Sequence, residues 1–105
     1  MNIAKGDCTD WKAWHDRQPV GTATLHVIGK CTFPTTGYSV ELKPATPQGI
    51  NPKIYLLQKI VHAPTGPTND VITTVRVDYK EKTEARYDEV SISPDGVKVP
   101  VKEVN

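Results

Sequence analysis

The chain has 105 residues and a mass of 11.6 kDa, which is one domain's worth. Its 13 Lys and Arg against 12 Asp and Glu leave a formal net charge of +1. So even a balance provides no overall electrostatic footprint for nucleic acid or for an anionic membrane. A hydrophobic share of 37% excludes a disordered chain, and no apolar run approaches the roughly 20 residues that span a bilayer.

Val, Ile and Thr number 12, 7 and 12, whereas Leu, Ala and Met together number 11. Branching at Cβ crowds a helical turn and suits a pleated strand. The 9 Pro and 7 Gly are spread along the chain, where they punctuate short elements. An all-β protein is expected. The start of the chain lacks the apolar stretch of a secretion signal, so the expected location is cytoplasmic.

Residues 1–19 read as an irregular N-terminal extension, packed on or flanking the core. Asp10 is a good helix N-cap, and one helical turn would place Trp11 and Trp14 on a common face; Pro19 closes the segment. Residues 20–105 read as the domain itself. Leu25 and Val27 open a strand over 21–33, and Gly29 within it signals a bulge or bend. Tyr38, Val40 and Leu42 alternate with polar residues over 37–43. The apolar run in 53–62 is a strand with Leu56 and Ile60 inward, bounded by Pro-rich loops 44–52 and 63–70. Val75 and Val77 share the inner face of 71–80. Val90 and Ile92 lead through 86–93 to the turn Pro94-Asp95-Gly96, and Val97 and Val99 follow in 96–104. Six or seven strands at this spacing predict an antiparallel two-sheet sandwich, immunoglobulin-like in architecture. Pro100 lacks an amide hydrogen, so 97–104 is predicted to be an edge strand.

Four pieces, Cys31-Thr32-Phe33-Pro34, Gly49-Ile50-Asn51-Pro52, Thr65-Gly66-Pro67 and Pro94-Asp95-Gly96, occur in this order. Over residues 10–104 the chain resembles small bacterial single-domain proteins of β-sandwich type with no assigned function. The resemblance therefore implies a fold and no site.

Catalytic motifs are missing: there is no Gly-x-Ser-x-Gly, no Gly-rich phosphate loop and no His-Glu-x-x-His. Cys31 has the inward phase of its strand while His26 faces the other way, which favours a small buried apolar Cys over a nucleophile. His15, His26 and His62 show no metal-ligand spacing with Cys8 or Cys31. The two Cys are either bonded, which by chain entropy would stabilise the fold by about 3 kcal/mol, or reduced, as a cytoplasm would keep them.

The expectation is a non-catalytic β-sandwich module for protein interaction or assembly, with a protein partner or a second copy of itself. It needs no cofactor, metal, nucleic acid or membrane. Candidate contacts are Trp11 and Trp14, read either as a binding platform or as a plug on the core, and Gln48 and Asn51 in the first Pro-rich loop. A carbohydrate-binding module using Trp11, Trp14, Tyr38, Tyr55 and Tyr87 is the alternative, and a small metal protein or enzyme is the third reading.

Overall fold

Ten residues that read as irregular form the first strand. In the computed structural model, which describes residues 7–16 and 23–104, β1 is Asp7–Asp16. It is followed by β2 (Thr24–Phe33), β3 (Ser39–Pro44), β4 (Ile54–His62), β5 (Thr73–Lys82), β6 (Glu89–Ser93) and β7 (Val97–Val104). The six expected strands correspond to β2 through β7, and the seventh comes from the N-terminal segment. Pro19, and the expected start of the second strand at residues 21 and 22, lie outside the described residues.

The strands form one mixed sheet in the order β3-β4-β6-β7-β1-β2-β5. This corrects the antiparallel two-sheet sandwich. The β4–β6 and β1–β7 pairs are parallel, and β7 joins the two halves. Residues 97–100 of β7 pair with β6, and residues 101–104 pair with β1. The sheet then curls until its terminal strands β3 and β5 approach each other. There the connections entering them are tied by Thr36 N–H donating to Asn69 O at 3.1 Å and Asn69 N–H donating to Thr36 Oγ1 at 3.1 Å. The result is a nearly closed barrel.

The edge-strand expectation for 97–104 is also overturned, because β7 is central. Pro100 marks where β7 leaves β6, at the last paired position opposite Glu89. The next residue, Val101, is already opposite Ala13 of β1. A residue without an amide hydrogen suits a changeover between partners as well as it suits an edge.

The barrel interior holds Leu25, Val27, Leu42, Val77, Val90, Ile92 and Val99, as their alternation predicts, together with Ala13, Cys31, Phe33, Tyr55 and Leu57. Tyr38, Val40, Val75 and Val97 are half-buried and pack on this core. In β4 the expected phase is reversed: Tyr55, Leu57 and Lys59 point inward, while Leu56 and Ile60 are half-buried on the outer side. Both faces of β4 are apolar enough for either phase, and the inward lysine is partnered. Its Nζ donates to Asp95 Oδ2 at 2.8 Å and to Cys8 Sγ at 3.3 Å. Cys8 and Cys31 face each other across β1 and β2 and are bonded.

The other end of the barrel carries a tyrosine cluster. Tyr55 stacks on Tyr87 with centroids 4.8 Å apart, and its hydroxyl is 2.9 Å from that of Tyr79. Tyr79 donates to Glu81 at 3.3 Å. Burial pushes the hydroxyl pKa of Tyr55, Tyr79 and Tyr87 upward, and the charge of Glu81 adds to this in all three. The folded chain therefore favours the neutral phenols, while the unfolded chain ionises near pH 10. Stability contributed by the cluster is complete below that pH and falls as the pH rises above it. Tyrosinate absorbance at 295 nm from these residues should appear together with loss of the strand circular-dichroism signal. A gradual titration with the sheet intact would contradict the arrangement.

Candidate functional site

Strand β1 is broken by a bulge. Thr9 pairs with Lys30 and Lys12 pairs with Ile28, so Asp10 and Trp11 both stand opposite Gly29. Asp10 takes φ 59°, a left-handed conformation that Asp adopts more readily than most residues. The inserted residue flips the parity of the strand. Cys8, Trp11, Ala13 and His15 face inward, and Lys12 and Trp14 face outward. The common helical face expected for the two tryptophans is therefore replaced by opposite faces of a strand.

Trp11 packs against the core and lies directly on the backbone of Gly29. A Cβ at position 29 would stand 2.5 Å from Trp11 Cε3. The glycine signal in the sequence thus records a close approach of the ring, with the bulge on the neighbouring strand. Gly29→Ala should cost about 1–3 kcal/mol by overpacking. Trp11→Ala in the same chain should remove most of that penalty, read as coupling in a urea-unfolding double-mutant cycle. Additive effects of the two substitutions would mean that ring and glycine do not touch.

Trp14 lies outside the barrel and stacks on His26 of β2, with centroids 4.9 Å apart and planes 11° from parallel. Beside it a groove of about 640 Å³ runs along β1 and β7, lined by Trp11, Lys12, Ala13, Trp14, Val99, Pro100, Val101, Lys102 and Val104. Its origin is the changeover in β7. Ala13–Asp16 are paired with Val101–Val104, whereas earlier in β7 the strand pairs with β6 and the two parallel strands separate. The lining is mainly apolar, and Lys12 and Lys102 are exposed.

Gln48 and Asn51 do not line this groove. The Gln48 side chain donates from Nε2 to Leu56 O and to Ala45 O, each at 2.8 Å, and accepts from Leu56 N–H at 2.8 Å. It pairs with β4 where β3 has ended. Asn51 Oδ1 accepts from Lys53 N–H at 2.9 Å. Both polar side chains are engaged in shaping the β3–β4 connection.

His15 is buried, and its Nε2–H donates to Thr83 O at 2.8 Å. Cys31 is buried within the disulfide, so it is no thiol nucleophile. Among the described residues no group of three or more His, Cys, Asp or Glu is placed to hold a metal ion, and no helix is long and apolar enough to cross a membrane.

The groove thus contains both tryptophans that the sequence singles out, and also a wall from β7 that the sequence does not reveal. Pro100 is the one signal for that wall. The chain matches no family model, no curated protein and no solved structure.

Proposed function

We propose that the protein is a non-catalytic binding module whose β1–β7 groove receives an apolar side chain from a protein partner. The observation that carries this reading is the groove itself. It lies within the 300–1,000 Å³ range of small-molecule sites, so roughly one large side chain and its neighbours fit it. Aromatic and aliphatic walls beneath a charged rim resemble the centre of a protein interface. A sugar platform needs several aromatic faces open together, whereas Tyr55 is buried, Tyr87 is stacked on it and Tyr38 is stacked on Phe33. The Cys8–Cys31 bond supports work in an oxidising compartment rather than the cytoplasm, since such bonds persist where thiols are not kept reduced.

Panning a phage-displayed library of random dodecapeptides against the protein tests this reading. Selected peptides should lose at least about tenfold in affinity for Trp14→Ala. That variant should melt close to the parent, because Trp14 is outside the barrel. Binders indifferent to Trp14→Ala, or failure to select any binder, would contradict the groove as the site.

A further inference from the structure

Folding brings three cations and one carboxylate together in a second cleft. On the outer face of β1, β2 and β5, this cleft of about 490 Å³ is lined by Lys12, Lys30 and Arg76 around Ile28, with Asp10, Gly29 and Thr74 completing it. The register explains the grouping, since Lys12 is opposite Ile28 and Lys30 is opposite Arg76. Lys30 Nζ is 3.9 Å from Asp10 Oδ2, which offsets part of its charge. Lys12 and Arg76 are exposed and have no ion-pair partner among the described residues. Asp78, on the same face of β5 and beside Ile28, is not among the residues lining the cleft.

Lys12 lines both the cleft and the apolar groove, so the two are neighbours across that side chain. Crossing from β7 to β5 passes the apolar slot, the Lys12 ammonium and Ile28, and then, diagonally along β5 from Asp78, the Arg76 guanidinium opposite Lys30. Three strand intervals span about 14 Å, a distance that four or five extended residues cover. The planar fork of an arginine suits a carboxylate, and exposed charges of one sign select partners and speed encounter more than they raise affinity.

We infer that the partner is an acidic extended segment, with an apolar anchor in the groove, one Asp or Glu side chain within about two residues of it over Lys12 and another three to five residues on over Arg76. This rests on the groove reading above and adds the chemistry of the partner to it.

The sequences of the selected dodecapeptides test it directly. An aromatic or branched apolar residue should recur with two or more acids within five positions. For one such peptide, labelled with fluorescein, anisotropy should show about tenfold weaker binding to Arg76→Glu than to the parent. Replacing by Lys only the acid that faces position 76, the one farther from the apolar anchor, should restore binding to that variant, and raising the salt should weaken the parent complex. Arg76→Glu should melt close to the parent, as expected for an exposed strand position.

Selected peptides with neutral or basic flanks, or equal affinity for Arg76→Glu, would overturn the acidic partner. If Trp14→Ala still abolished binding, the groove would stand. If Trp14→Ala had no effect, the groove reading would fall and this inference with it. A fluorescein-labelled dT12 oligonucleotide that bound more tightly than every selected peptide at the same salt would replace the acidic peptide with a nucleic acid.

Discussion

Leu57→Ala should destabilise the protein by about 2–5 kcal/mol, the range for emptying a buried leucine site, whereas Leu56→Ala should cost less than about half as much. Leu57 is 0% exposed. It stands between Pro44 of β3 and Ile92 of β6 in the register, so removing its isobutyl group leaves a cavity that the barrel wall cannot collapse to fill. Leu56 is half-buried on the outer side of β4, where Gly49 approaches its Cδ1. Water can take the place of part of what is removed there. Urea unfolding of the two variants decides the phase of the strand. Equal losses, or a greater loss for Leu56→Ala, would put the opposite face of β4 inside.

The second large effect concerns a charge. Asp95→Ala should cost about 2–3 kcal/mol, while Lys59→Met should cost under about 1 kcal/mol or stabilise the fold. The Lys59 side chain is 5% exposed and its Nζ is 2.8 Å from Asp95 Oδ2. Without Asp95 the ammonium keeps, among the described residues, only the weak acceptor Cys8 Sγ at 3.3 Å, and a buried charge without a partner is strongly destabilising. The Asp95 side chain is 23% exposed, so water softens the loss and the lower end of the usual 3–5 kcal/mol range, or slightly less, is appropriate. In Lys59→Met a flexible apolar chain of similar length fills the same space, and Asp95 turns to solvent from its hairpin. The asymmetry is the signature of a pair held at a desolvation cost. Equilibrium unfolding with the disulfide intact measures it, and a larger loss for Lys59→Met than for Asp95→Ala would contradict it.

Both effects arise in or beside β4, where the sequence is hardest to read. Strand β2 places Leu25 and Val27 inside, and β5 places Val77 inside, as their alternation implies, because one face of each is apolar and the other polar. Strand β4 is apolar on both faces, so alternation cannot decide its phase. Lys59 misleads further, because its partner Asp95 is 36 positions away. Strand β1 is hidden for a different reason. Its outward face mixes the polar Thr9 and Lys12 with Trp14, and the bulge at Asp10 shifts the inward phase between Cys8 and Trp11, so that no period of two runs through it. The sandwich expectation fails for a non-local reason. Parallel pairing of β1 with β7 joins the two ends of the chain, and no local pattern encodes it.

The candidate site is legible to the same degree. Trp11 and Trp14 stand out by their chemistry alone, in a chain with 2 Trp. Their arrangement does not, since a helical turn and a bulged strand give them opposite relations. The Val99–Lys102 wall comes from the other end of the chain through that parallel pairing. Gln48 and Asn51 have the chemistry of contact residues, polar and set in a restrained loop, but the loop uses both to hold its own shape.

The central claim is that a protein partner docks where β1 and β7 part. A titration of the 15N-labelled protein with a selected dodecapeptide tests it most directly. The account predicts that the largest shifts fall on the Trp14 indole and on the amides of Lys12, Trp14, Val101 and Lys102, with smaller shifts reaching Lys30 and Arg76. Shifts concentrated instead in the loops 45–53 or 63–72, with β1 and β7 unmoved, would contradict it.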